Sequence, residues 1–402
     1  MKTSYYRLFS SLEESPLPPK RAEIDTATLR HNFRTLTARL HASAPQLRSI
    51  AVVKADAYGH GAPFCVAELL KEGCDFFAVS CIEEAIAVRR VCCAKQSKAD
   101  ILILGYTNPA HAALLVEFDL LQALISADYA PALSDSAQAH GVRPRVHVAL
   151  DTGMGRIGFG ARTPEEIQST VQEIASFANG GAIDICGMFT HFSHADCKGD
   201  AARKKTDLQL SRYRTVQAKL EELGVSIPFH HTCNSAAALT RSDGLFDGVR
   251  LGIVLYGAAH DLHKGYDLRP VMRLVTEIVH IQTLPHGESV GYGGRFTADG
   301  ERRIAVLPIG YADGLPRSLR GASVTLETKS GVCTAPIVGN VCMDQCMIDI
   351  TDTDAELGTQ VTFFGDSPEQ LTHLSKHAKT IDYELLCAVS ARVPRVYRTK
   401  PL

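Results

Sequence analysis

Through its first two-thirds the chain repeats one alternation: a short β-branched apolar run, then a longer amphipathic stretch. Residues 50–54 (IAVVK) read as a buried strand, and residues 64–71 as a helix that Gly73 stops. Residues 76–80 are the next strand and 83–91 the next helix, and 101–105 and 121–125 continue the theme. Strands over 145–150 and 183–192 flank a helix over 164–177. A long polar helix over 201–223 then precedes strands near Phe229 and Val249. About eight such units predict a parallel sheet covered by helices, most simply a closed (β/α)8 barrel. The alternative, a doubly wound open sheet, needs a Gly-rich phosphate turn after an early strand, and no GxGxxG stands there.

From about His263 the texture changes. Residues 276–284, 304–308, 323–328, 335–341, 347–350 and 360–364 are short and β-rich, with Gly and Asp turns between them. The expected α/β architecture is therefore a (β/α)8 barrel over 21–260 followed by a C-terminal antiparallel β-domain over 261–402. Two domains also suit a chain of 402 residues. Pro16, Pro18 and Pro19 mark residues 1–20 as a flexible arm. A net charge of −2 makes no electrostatic case for nucleic acid or an anionic membrane. No apolar run is long enough to span a bilayer, and the opening residues lack the apolar core of a secretory signal. The 12 cysteines are scattered, include the adjacent pair Cys92 and Cys93, and form no CxxC. That usage fits reduced thiols in the cytoplasm better than a disulfide framework or a thiolate zinc site.

In a barrel, chemistry sits at the carboxyl ends of the strands, which singles out Lys54 after the run 50–53. Such a lysine is either snorkelling or ion-paired, or it is desolvated to lower its pKa for Schiff-base chemistry. Asn234 and Ser235, ahead of an Ala-rich stretch, read as a helix N-terminus, either an ordinary cap or one facing an anion. Tyr292 between two glycines reads on its own as a turn residue, and Arg250 after Val249 as half of an ion pair. His191, His194 and Asp196, with His230 and His231, suggest a metal cluster. Adjacent histidines on a strand point to opposite faces, however, so no metal is expected.

The segment AVVKADAYGHG at 51–61 resembles the cofactor-lysine segment of the alanine racemase family. The resemblance continues in order through LDTGMGRIG (150–158), GMFTHF (187–192), CNSAA (233–237) and VRLGI (249–253). It runs on through GYG (291–293), IGYADG (309–314), VCMDQ (341–345) and IDYE (381–384). It implies pyridoxal 5'-phosphate as cofactor, an amino-acid substrate, and a homodimer with shared active sites. Lys54 and Tyr292 are then the two catalytic bases, one on each face of the α-carbon, with Tyr292 supplied by the partner. Tyr292, His191 and Arg250 would form a hydrogen-bonded chain, with Arg250 facing the pyridine nitrogen. Tyr58, Asn234, Ser235, Gly252, Ile253 and Tyr383 match the family's cofactor and phosphate positions. Arg156 and the backbone amide of Met343 match those that take the substrate carboxylate.

The implied reaction interconverts L-alanine and D-alanine. The alternatives are a serine or broad-specificity racemase, a decarboxylase using the same cofactor, and a non-enzymatic carrier of it. Two positions depart from the family's pattern. Ala149 stands where the family carries a carbamylated lysine, so a bound anion such as chloride, or another side chain, has to partner Arg156. Asn340 stands where an arginine is expected.

Overall fold

The computed structural model describes residues 17–398, so most of the expected flexible arm, residues 1–16, lies outside the described residues. The chain divides into two compact units. One comprises residues 33–57 and 62–255; the other takes the described residues up to 32, residues 58–61, and the chain from 256 onward. No helix among the described residues is long and apolar enough to cross a membrane.

The first strand of the chain, β1 (Arg21–Asp25), belongs to the second unit. The first unit is built on β2 (Arg48–Val52), β3 (Phe76–Val79), β4 (Asp100–Ile103), β5 (Leu121–Leu124) and β6 (Arg145–Asp151). The two-residue β7 (Phe159–Gly160), β8 (Asp184–Thr190), β9 (His230–His231) and β10 (Gly248–Leu251) complete it. The pairing order is β10-β2-β3-β4-β5-β6-β8-β9, all parallel, with β7 attached to β6. Asp247 N donates to His230 O and Arg250 N to Cys233 O, each at 3.0 Å. These bonds bring β9 beside β10, so the eight strands form a nearly closed barrel, as the alternation predicts. Strands β3, β5 and β10 are buried throughout, as expected when helices cover the outer face of a parallel sheet.

Local signals end the covering helices. Pro164–Gly180 begins after Thr163, whose side chain accepts from Glu166 N, and stops at Gly181 in the left-handed conformation. Strand β6 carries an irregularity against β8 between Val146 and His147. Gly187 leaves room for the His147 ring there, since a Cβ on that glycine would lie 2.5 Å from ring atoms.

The second unit is a nine-stranded sheet. Its order is His280–Leu284, Arg302–Leu307, Cys346–Asp349, Gly331–Val338, Ser323–Thr328, Gln360–Phe364, Met272–Glu277, β1 and Arg395–Arg398. All of its pairs are antiparallel except β1 with Arg395–Arg398. Two differences from the sequence reading have clear causes. The single strand expected over 276–284 is two strands, because Ile278 N bonds to Thr359 O and Val279 N to Val306 O. The chain changes neighbours at that point. And β1, placed by the sequence reading at the start of the barrel segment, pairs here because its buried carboxylate finds its cations in this sheet.

That carboxylate is Glu23, only 1% exposed. Arg21 Nε and Arg398 Nη2 both reach its Oε1 at 2.7 Å, and Arg273 Nη1 approaches Oε2 at 3.7 Å. Removing one member of such a buried cluster leaves uncompensated charge. Glu23→Ala should therefore lower the unfolding free energy by about 3 kcal/mol, seen as a lower urea midpoint; an unchanged midpoint would show the cluster to be dispensable.

Candidate active site

Lys54 follows β2 and opens a turn of the wrong hand for L-residues. Ala55, Asp56 and Ala57 sit at φ 52°, 54° and 55°, with ψ between 46° and 51°, and Tyr58 continues at φ 53°. Left-handed helical backbone costs a non-glycine residue about 1–2 kcal/mol, so this segment stores several. It is held by specific bonds. Ala57 N donates to Val53 O at 2.9 Å, Ala55 N to the Glu84 carboxylate at 2.7 Å, and Ala62 N to Asp56 Oδ1 at 2.8 Å. Strain that the surroundings enforce in this way concentrates at functional sites, and here it begins at the residue after the lysine.

Arg250, on β10, is 3% exposed. Its guanidinium donates to Thr190 O at 2.7 Å, His231 O at 2.8 Å and Thr232 O at 2.9 Å, and to His231 Nδ1 at 2.7 Å. Its Cζ lies 5.4 Å from the Phe189 ring centroid. None of these partners is a carboxylate, and burial pushes its pKa down to about 10. A guanidinium only donates, so His231 Nδ1 accepts, and the His231 proton sits on Nε2 and points at His147 Nδ1, 2.9 Å away. Burial lowers the pKa of His147 to about 3 and that of His231 well below the usual imidazole range. Both rings are therefore neutral.

His191 follows β8. Burial, and then Arg250, Arg156 and Lys54 in that order, bring its pKa down to about 3, so three cations surround one neutral imidazole. The expected bond between Arg250 and His191 is long, 3.5 Å; the short bonds of Arg250 go to His231 and the carbonyls. Gln209 steadies the segment by donating to His191 O at 3.1 Å and accepting from Ser193 N at 3.0 Å.

Asn234 caps Ser235–Thr240 by accepting from Ala237 N at 3.1 Å. Gly252 N donates to Ser235 Oγ at 2.9 Å, which leaves the Ser235 proton to be given elsewhere. Ile253 opens a 3-10 turn, Ile253–Tyr256, and amides at such starts have no partner within the turn. Hydroxyl and amide donors from two strand ends thus suit an anion. Among the described residues Arg156 makes no hydrogen bond or ion pair. Ala149 is buried among Ala123, Phe189, Leu104 and Ile125 and carries no charge. The nearby Asp151 is occupied by Arg162 and by the amides of Gly153 and Gly155.

The remaining candidates belong to the second unit. Tyr58 packs against Tyr256 and Tyr383, with ring centroids 5.1 and 6.1 Å apart; burial, then Tyr383, raises its pKa well above the phenol range. Tyr292 is 72% exposed on a short turn, Tyr292–Gly294, and Asn340 Nδ2 donates to its carbonyl at 2.8 Å. The loop carrying Met343 is fixed by Ala312 N donating to Met343 O at 3.0 Å.

Among the described residues no group of three His, Cys, Asp or Glu side chains is placed to hold a metal ion. His194 contacts Ser193 and Lys205, and His230 contacts Tyr213 and the Ile227 carbonyl. Sequence reasoning missed His147 and the role of His231. The available signal for His147 was an imidazole between Val146 and Val148 on a buried strand.

The buried imidazoles have a consequence for stability. Free imidazole titrates near 6.5, whereas His147 in the folded chain titrates at about 3. Between those values the unfolded chain binds more protons than the folded one, so stability falls as pH drops from about 6.5 toward about 3. His147→Phe should lose about 1–3 kcal/mol at pH 7, because His231 Nε2–H is left unpaired. It should also lose less on further acidification than the parent. Urea midpoints at pH 7 and pH 4.5 measure both; equal losses on acidification would contradict the assignment.

The model of the alanine racemase N-terminal domain matches residues 24–260, and that of the alanine racemase C-terminal domain matches residues 271–397. The alanine racemase of Clostridium novyi is 37% identical over 389 residues, covering 95% of this chain and 96% of that protein. The alanine racemase of Desulfovibrio desulfuricans is 38% identical over 383 residues, covering 94% and 98%. Among solved structures, the alanine racemase of Clostridium difficile 630 superposes with a TM-score of 0.85 at 35% identity, covering 96% of this chain and 97% of that one. With both of its domains matched in order and relatives of this identity spanning nearly its whole length, the chain belongs to the alanine racemase family.

Proposed function

We propose that the chain interconverts L-alanine and D-alanine, using pyridoxal 5'-phosphate held by Lys54. The observation that carries this reading is Arg250: a buried guanidinium with no carboxylate partner, beside His191 and grouped with Lys54 and Arg156 at the carboxyl ends of the barrel strands. The residues suit the cofactor's chemistry. Lys54 offers an amine, the Ser235 hydroxyl and the amides near Ile253 suit a phosphate, and Arg250 suits an aromatic nitrogen that accepts a hydrogen bond. Asn234 and Gly252 stand beside Ser235 in the barrel unit, and Tyr58 and Tyr383, in the other unit, match further cofactor positions of the family.

When bound, the cofactor withdraws electrons from the substrate's α-carbon and so acidifies its hydrogen. Lys54 Nζ takes or returns that proton on one face, and Tyr292 Oη does so on the other. Arg250 donates to the ring nitrogen without surrendering its proton, which keeps electron withdrawal modest and favours a simple exchange of protons. Arg156, with no partner of its own, and the Met343 amide bind the substrate carboxylate. The methyl group of Ala149 leaves Arg156 free to pair with that carboxylate or with a small anion. The active form is a homodimer in which Tyr292 and Met343 come from the second copy, and cysteines without disulfides suit a reducing compartment such as the cytoplasm.

Purified enzyme loaded with cofactor should convert L-alanine to D-alanine faster than L-serine to D-serine, as read by chiral chromatography. Faster serine turnover would move the assignment to a broad-specificity racemase, and release of carbon dioxide would move it to a decarboxylase. Mixing inactive Lys54→Ala and Tyr292→Phe enzymes should restore activity to about a quarter of the sites once subunits have exchanged at random. No recovery after verified exchange would show that each site is built within one chain.

A further inference from the structure

We propose that Asn340 is a positioning residue for Tyr292, its amide holding the turn that presents the phenol; the proposal rests on the reading of Tyr292 as an acid–base group. Little else holds that turn. Gly291, Gly293 and Gly294 have φ of 75°, 76° and 52°, a conformation open to glycine that leaves the backbone soft. The Tyr292 ring is 72% exposed, so packing does not fix it either. The base of the hairpin is defined by Ser289–Val290 pairing with Phe296–Thr297, and Val290 is anchored in a core with Leu284, Ile304, Val338 and Met347. At the tip, Asn340 Nδ2 donates to Tyr292 O at 2.8 Å.

The loop that delivers Asn340 is fitted against the same hairpin. Gly339, at φ 67°, lies where a Cβ would meet Val290 O at 2.8 Å, and a Cβ on Gly291 would meet Met347 Cε at 3.0 Å. Two glycine turns therefore pack backbone to backbone, and the Asn340 side chain ties one to the other.

The residue type suits its surroundings. Tyr292, Asn340, Arg295, Arg317 and Arg320 border one cavity of about 710 Å³. Among the described residues none of the three arginine side chains has an ion-pair partner. A carboxylate at position 340 would be drawn to those guanidiniums and has no proton to donate, and a fourth cation would be repelled by them. A neutral amide keeps its donor for the Tyr292 carbonyl.

The test uses the cofactor-loaded enzyme with Asn340→Leu, which removes the donor at similar volume, and Asn340→Gln, which keeps a donor. Each is also combined with Tyr292→Phe. Asn340→Leu should lower kcat about ten- to a hundredfold, the scale of a misplaced catalytic group, with KM within about threefold, and Asn340→Gln should recover most of the loss. Backbone amides of residues 291–295 should exchange hydrogen for deuterium faster in Asn340→Leu than in the parent. In the Tyr292→Phe background Asn340→Leu should cause no further loss of the residual rate, since both then act on one group. Unchanged kcat in Asn340→Leu, or the same factor lost with and without Tyr292, would overturn the positioning role while leaving Tyr292 as the base. A fully active Tyr292→Phe enzyme would instead remove the acid–base reading, and the proposal with it.

Discussion

The buried charge of Arg250 is the constraint around which the barrel unit is organised. Taking a guanidinium out of water costs several kcal/mol unless its donors are used, and no acid is supplied to neutralise it. The cost is offset by the carbonyls of Thr190, His231 and Thr232 and by the His231 ring. Those groups come from the ends of β8 and β9, so satisfying Arg250 ties together the part of the barrel where the strands meet least regularly. The same bond fixes the tautomers of His231 and then His147. A buried polar network of this kind rigidifies a core, and it fixes one positive charge near the carboxyl ends of the strands.

The two arginines of the site are treated in opposite ways. Arg250 has its hydrogen bonds satisfied within the fold and is held in one position, whereas Arg156 is exposed and has no hydrogen bond or ion pair among the described residues. Ala149 lies in an apolar floor with Ala123 and Phe189 and offers no negative charge. One cation is thereby structural and the other remains open to an anionic ligand. The left-handed turn after Lys54 belongs to the same economy: local strain is tolerated because Glu84, Val53 and Asp56 each bind part of it.

Much of the architecture was legible in the sequence. Apolar runs at 76–80, 101–105, 121–125 and 145–150 became parallel strands nearly where they were read, because a strand buried on both faces is written as a continuous apolar stretch. The C-terminal strands over 323–328 and 360–364 were equally clear. The split of 276–284 into two strands was not, since a change of pairing partner at Ile278 leaves no Gly, Pro or turn residue in that stretch of the sequence. Nor was the membership of β1, whose place depends on Arg273 and Arg398, far along the chain. Lys54, Arg250 and Ser235 were visible through the order of motifs; His147 passed as an ordinary residue of a strand.

The period of each segment, hence the barrel and the β-rich unit, and the ordered motifs that name the family are written along the chain. Those signals are local, carried by neighbours a few positions apart. Which polar groups meet depends instead on the folded arrangement of distant strands. His147 reaches His231 across 84 residues and Arg250 reaches Thr190 across 60, contacts that exist only once β6, β8, β9 and β10 are assembled in the barrel. The tautomers, the neutral histidines, the left-handed turn and the amide that holds Tyr292 all follow from such closures. A burial cost has no value until the fold has set what lies around the buried group.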